Sequence, residues 1–334
     1  MKTHQAISVL ALMLLLTLPC TAGILVVDNN PGNAAHYSTL AAAMSAASAG
    51  DTILVVGSPD SYGRLTLNKR LVLFGPGYLL TSNPGTQAIK LPATASFTFN
   101  SGSEGSVVCG FLMYDQLQIN VNNITVKRNY WNFFYNSQMI NVGNGSNVVI
   151  KQNYIRNTTT GDYPAIYCSQ NTSSVVIANN YLYSNGGTSL YLESGGGPFY
   201  VDNNVFEGKL LIYNSILTGN IWANTGTLSG SGNTFQYNLC AGTQFPDANG
   251  NIREVDMATV FLNSGSTDAR WQLLEGSPAI GAGPGGIDCG MFGGNDPYVL
   301  SGMPPIPSIT DFFAPSTASQ ASGLDVQLKA KSHN

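Results

Sequence analysis

ITVKRNYW (124–131), VVIKQNYI (148–155), VVIANNYL (175–182), FYVDNNVF (199–206) and SILTGNIW (215–222) are one phrase written five times, with a weaker copy in SGSGNTF (229–235). Each copy is an apolar strand, then Asn, one further residue, and an apolar or aromatic side chain. The asparagines are Asn129, Asn153, Asn180, Asn204, Asn220 and Asn233, at intervals of 24, 27, 24, 16 and 13. An interval in the mid-twenties marks a solenoid, in which each coil buries itself against the next.

Alternation places the residues five and three before each Asn on one strand face. These are Ile124 and Val126, Val148 and Ile150, Val175 and Ile177, and Phe199 and Val201. Two residues after each Asn the side chain turns inward again, at Trp131, Ile155, Leu182, Phe206, Trp222 and Phe235. Asn tolerates the left-handed bend of a strand corner, and stacked coils lie roughly 4.8 Å apart. Asn129, Asn153, Asn180 and Asn204 are therefore expected to form an amide ladder. The fold class predicted is all-β: a right-handed parallel β-helix.

Before the repeat, GILVVDNNPGN (23–33) reads as a strand and turn, and LAAAMSAASAG (40–50) as one short amphipathic helix that covers the open end of the core. The predicted organisation is a signal peptide over 1–22, an N-terminal strand and capping helix over 23–51, and the β-helix over 52–245. A loop-rich C-terminal cap (246–300) follows, then a Pro-rich linker (301–334) that ends in a strand laid on the solenoid, the favoured reading, or in a flexible tail. The signal reading rests on Lys2, the apolar run from Ala6 to Leu18, and a small-residue exit at Ala22, which implies a secreted or cell-surface protein. No other segment reaches the roughly 18 apolar residues of a spanning helix.

Charged residues make up only 10% of the 334-residue chain and apolar residues 43%; a core forms, but the surface is mostly amide and hydroxyl. Without residues 1–22 the chain carries 13 cations against 18 anions, net −5. That excludes a general nucleic-acid surface. Cys109, Cys168, Cys240 and Cys289 lack metal-site spacing, and buried thiols are favoured over disulfides at Cys109 and Cys168, which sit in strand-like runs.

The block VDNNPGN, YSTLAAAMSAASAGDTILVVGSPDSYG and LNKRLVLFGPGY, with WQLLEGSPAIGAGPGGIDCGMFGGNDPYVLSGMPPIPSI (271–309) near the other end, resembles secreted bacterial right-handed β-helix repeat proteins of the pectate-lyase-like superfamily. The resemblance spans nearly the whole chain after residue 22. It implies fold and export, and leaves activity open among lyases, hydrolases, epimerases and members without an assigned reaction. Calcium is implied only if the chain is one of the lyases. The NTD, DD and GHG phrases of polygalacturonase-like enzymes are absent.

Acid–base chemistry needs two or three ionisable groups held within a few ångströms. The residues two before each Asn form an outward column, Lys127, Lys151, Ala178, Asp202 and Thr218. The catalytic candidates are Lys151, Arg156, Asp162 and Asp202, with Asp115, Glu193 and Glu207 as looser carboxylates; isolated surface charges are the more ordinary reading. Tyr130, Tyr154 and Tyr181, one residue after their asparagines, are expected to point outward. They would stack on sugar rings or, as the favoured reading has it, on one another. No metal site is predicted. The leading expectation is a structural or carbohydrate-interacting module with polysaccharide as partner; the alternative is a polysaccharide lyase or glycoside hydrolase on the outer face of the coils.

Overall fold

The computed structural model describes residues 22–32, 34–133, 136–317 and 323–333; of the predicted signal peptide only Ala22 lies among them. The chain is a parallel β-helix. Its first face is a ten-stranded parallel sheet running from Ile24–Val27 through Val107–Cys109, Thr125–Lys127, Val149–Lys151, Val175–Ala178 and Phe199–Asp202 to Thr234–Gln236. Beyond the Asn corner a second face carries Tyr130–Phe133 and Tyr154–Asn157, and a third carries Leu117–Ile119, Ile140–Val142 and Ile166–Cys168. These two belong to one 13-stranded sheet, because Thr94–Phe99, Tyr181–Leu192 and Val205–Ile212 each run through both faces.

The inward residues read from the repeat, Ile124, Val126, Val148, Ile150, Val175, Ile177, Phe199 and Val201, are fully buried, as are Trp131, Ile155, Leu182, Phe206 and Trp222. Strict alternation leaves the intervening positions outside. At the N-terminal end the helix Leu40–Ala46 is capped by Thr39 Oγ1, which accepts from the Ala42 N–H at 3.2 Å, and it buries Leu40, Ala43 and Met44 against the first coils. Lys69 Nζ donates to the carbonyls of Ser45 and Ala47 at the helix's last turn, where the dipole favours a cation.

Four sequence expectations are corrected or refined. Asn233 is not a rung of the ladder: it sits at the corner before the first face, where its Oδ1 accepts from Ser215 N, and Asn238 and Asn251 continue the ladder. Phe235 accordingly belongs to the first face, opposite Leu217. The left-handed residue at each corner is the one before the ladder Asn, namely Arg128, Gln152, Asn179, Asn203, Gly219 and Tyr237. The ladder asparagines owe their place to hydrogen bonding, not to backbone tolerance. Finally, the terminal strand Gln327–Lys331 does not lie on the solenoid but pairs antiparallel with Ser308–Phe313. Among the described residues Cys109, Cys168, Cys240 and Cys289 are buried free thiols.

Candidate functional site

The corner between the first and second faces is where most of the polar chemistry gathers. Each ladder amide serves two neighbours. Asn180 Oδ1 accepts from both the backbone N–H and the Nδ2 of Asn153, each at 2.9 Å, while Asn180 Nδ2 donates to Ile150 O and to Asn204 Oδ1. The same pattern runs from Asn129 to Asn238, satisfying backbone groups that the corner takes out of the sheet.

The left-handed residues form a second set of contacts, directed outward. Their side chains or carbonyls hold a strap, residues 288–303, that runs back along the corner against the direction of the coils. Cys289 Sγ meets Tyr237 O at 3.3 Å and Gly290 N donates to Gly219 O at 2.8 Å. Asn203 Nδ2 donates to Asp288 O, and Asn179 Nδ2 to Met291 O and Gly293 O. Gln152 Nε2 reaches Asp296 O and Pro297 O, Lys151 pairs with Asp296, and Arg128 donates to Met303 O at 2.7 Å and to Gln152 Oε1 at 2.8 Å.

The strap and the loop before it decide the fate of the tyrosine row. Tyr130, Tyr154 and Tyr181 do point away from the core, and they stack with Tyr78 in one file, at centroid separations of 4.9, 5.4 and 4.4 Å. Trp271 packs on Tyr181 at 4.6 Å and donates from Nε1 to Tyr154 Oη. The row is therefore buried beneath a second apolar cluster that includes Phe261, Cys289, Met291 and Tyr298. The favoured expectation of mutual stacking is met, and the sugar-stacking alternative is corrected: Tyr154 and Tyr181 are 2% exposed, and these rings bind the chain's own C-terminal segment. Burial holds the phenols of Tyr78, Tyr154, Tyr181 and Tyr298 protonated, well above their usual range.

The four catalytic candidates are not brought together. Lys151 is on the first face, in ion pair with Asp296 of the strap. Arg156 lies on the second face with its guanidinium over the Tyr183 ring at 4.8 Å. Asp162 sits in the loop beyond, accepting from Thr188 N and facing Lys209 at 3.7 Å. Asp202 shares the column of Lys151 but is two rungs away, against Thr218. Asp115 pairs with Arg64, Glu193 accepts from Tyr167, and Glu207 accepts from Tyr181. Among the described residues no three His, Cys, Asp or Glu side chains gather as a metal site.

Burial pushes the Asp202 carboxyl up from 3.8 to about 6, a rise that the Thr218 hydrogen bond only partly offsets. In this sign the folded protein holds a proton that the unfolded chain loses first, so stability falls as pH rises from about 4 to about 6 and is flat above. Asp202→Asn is thus expected to be more stable than the parent by about 1 kcal/mol at neutral pH and equal to it near pH 4, as read by urea titration at both pH values. A gain that persists in acid would refute this cause.

The uncovered polar surface is the third face. There Thr66, Thr98, Gln118, Asn141, Tyr167 and Tyr191 align as one outward column, rung by rung. Tyr167 and Tyr191 meet edge to face at 5.3 Å, and Tyr167 Oη donates to Glu193 Oε1 at 2.7 Å. Beside them Gln118 Nε2, Asn120 and Asn100 form an amide relay with 2.8 Å bonds. Two buried polar atoms on this face, Asn141 Oδ1 and Ser96 Oγ, have no hydrogen-bond partner among the described residues, which is uncommon for buried oxygens. Sequence reading missed this column.

The fold defines the molecule as a β-helix solenoid with its own C-terminal strap. No protein-family model matches the sequence, and no curated protein does. No helix among the described residues is long and apolar enough to cross a membrane.

Proposed function

We propose that the protein is an exported β-helix module that holds a polysaccharide strand along its third face as a binding or structural surface. The observation that carries this reading is the outward column from Gln118 to Tyr191, in which the amides of Gln118 and Asn141 are followed by the neighbouring rings of Tyr167 and Tyr191. The tyrosine rings supply the apolar contact a pyranose face needs, and the amides beside them supply hydrogen-bonding groups for its hydroxyls. The column itself carries no formal charge, which suits a neutral glycan better than a polyanion. The resemblance of the flanking sequence blocks to secreted β-helix proteins supports export.

Affinity electrophoresis against a panel of neutral and acidic polysaccharides tests it. Tyr191→Ala is expected to weaken retention by at least about fivefold, corresponding to about 1 kcal/mol for a lost aromatic contact, whereas Arg156→Gln leaves it unchanged. Absence of retention on every glycan, or retention indifferent to Tyr191, would sink the proposal. Release of reducing ends or of unsaturated products from any panel member would favour the hydrolase or lyase reading instead.

A further inference from the structure

The third-face column begins before Gln118, at Thr66 and Thr98, and there it borders a pocket of about 210 Å³. Three neighbouring segments build that pocket. Arg64–Leu67 pairs in parallel with Thr94–Phe99, which sets Arg64 opposite Ser96. Across the other edge of Thr94–Phe99, Ala95 faces Met113 and Thr98 faces Gln118, so residues 96–97 are met by residues 114–117. The extra residues bulge, and Asp115 stands beside Ser96. Arg64, Ser96 and Asp115 all line the pocket.

Ala95, Phe97 and Phe99 are in the core, so alternation points Ser96 outward, into the pocket. It is nevertheless only 3% exposed, and its Oγ has no hydrogen-bond partner among the described residues. The ion pair accounts for this burial. The segments of Arg64 and Asp115 stand roughly 10 Å apart, two strand spacings, with Ser96 between them, yet Arg64 Nη2 meets Asp115 Oδ2 at 2.5 Å. The pair therefore bridges over Ser96. Its two members are held unequally. The Asp115 side chain is 6% exposed, its Oδ1 accepts from Gln116 N at 2.8 Å, and its carbonyl accepts from the buried Trp131 Nε1 at 3.2 Å. The Arg64 side chain is 68% exposed, and a pair with so exposed a member is weak. The bridge opens from the Arg64 side, leaving a fixed carboxylate beside a hydroxyl that lacks a partner.

Resting on the glycan reading, we propose that this pocket takes two adjacent hydroxyls of one sugar unit in the strand held by the third face. One hydroxyl enters between the charged partners, donating to the Asp115 carboxylate and accepting from the Arg64 guanidinium, both charge-assisted bonds. Its neighbour reaches Ser96 Oγ, which the displaced Arg64 no longer covers, and ends the cost of an unmet buried hydroxyl. Arg64 and Asp115 are the charged residues of the lining and cancel, so an acidic unit gains at one what it loses at the other. The substrate class is thereby narrowed to neutral glycans whose internal units keep adjacent hydroxyls free.

Affinity electrophoresis of the full chain in glucomannan and in a linear three-linked glucan is the test. Glucomannan is four-linked, so its units keep two adjacent hydroxyls free, whereas the internal units of the three-linked polymer keep none adjacent. The parent is expected to be retained at least about tenfold more strongly by glucomannan, the worth of hydrogen bonding to a charged group. Asp115→Asn keeps an acceptor for Gln116 N but loses the charge, and is expected to bring the two polymers within about twofold of each other. Arg64→Gln, at an exposed side chain, does the same and covers the case in which the first variant fails to fold. Tyr191→Ala weakens retention in both polymers and leaves their ratio intact, and Asp311→Asn on the terminal hairpin changes neither. A parent that does not prefer glucomannan overturns the pocket assignment. So does a preference that survives both pocket variants while Tyr191→Ala still weakens retention, an outcome that leaves the third face its glycan. Absence of retention on every polysaccharide of the panel overturns the pocket and the glycan reading together.

Discussion

Asn180→Ala is expected to lose at least about 3 kcal/mol of folding stability, because it strands several fully buried partners at once. The backbone N–H and side-chain amide of Asn153 lose their acceptor, Ile150 O loses the side-chain donor, and Asn204 Oδ1 keeps only the backbone N–H of residue 180. Water does not reach these groups: Asn153, Asn180 and Asn204 are all 0% exposed. Asn180→Asp keeps an acceptor but removes the donor and buries a charge, so it is expected to be no better. Chemical denaturation of the two variants beside Asn122→Ala, an exposed asparagine outside the ladder, separates the ladder from general asparagine effects. A loss below about 1 kcal/mol, the net worth of one ordinary hydrogen bond, would show that the ladder is ornamental.

Asp268→Ala is expected to undock the C-terminal segment while the coils stay folded. Asp268 is fully buried and anchors parts of the chain far apart in sequence. Its Oδ1 accepts from Asn83 Nδ2 at 3.0 Å and Ser266 Oγ at 2.6 Å, and its Oδ2 accepts from Ser301 N at 2.7 Å and Tyr298 Oη at 3.2 Å. Removing a buried carboxylate that four donors converge on leaves the Ser301 N–H without its acceptor and takes one partner each from Asn83, Ser266 and Tyr298, and breaking such a network costs about 3–5 kcal/mol. Trp271 would then leave the tyrosine row. Limited proteolysis is the measurement: cuts are expected within 255–303, with residues 52–240 protected. A digestion pattern identical to that of the parent would remove Asp268 from this role.

How much was legible in the sequence depends on what a residue's place is measured from. The core positions and the ladder stand at fixed offsets from a repeated Asn, and a two-residue period inside a strand reports inward and outward faithfully, so Val126, Ile150 and Ile177 could be placed directly. The third-face column could not. Asn141, Tyr167 and Tyr191 follow their ladder asparagines by 12, 14 and 11 residues, because the turn between the second and third faces differs from coil to coil and Tyr181–Leu192 runs through it as one strand. The weaker local signal was the triplet form, INV, IYC and LYL, with a polar or aromatic centre between two buried residues.

The tyrosine row was legible in direction and illegible in exposure. Alternation within a coil says that Tyr154 leaves the core, but the rings that cover it come from Trp271 and Tyr298, more than a hundred residues later, in a segment without a repeat. Asn233 was misplaced for a related reason. Once the coils narrow, two corners carry asparagines, and spacing alone does not distinguish the corner that stacks on Asn220 from the one that bonds Ser215.

The backward course of the strap changes what kind of polymer this is. In an ordinary solenoid each repeat touches only its neighbours, so stability is a sum of local terms and either end is free to fray. Here successive strap residues touch Tyr237, Gly219, Asn203, Asn179, Gln152 and Arg128 in turn and finish at Tyr78, whose hydroxyl meets that of Tyr298 across 220 residues of chain. A one-dimensional stack is thereby closed into a loop of constraints, in which a segment that follows the coils in sequence is bound back to the early ones. The number of coils is counted by the strap, one contact at a time, and such a protein cannot gain or shed a repeat in the way open arrays do.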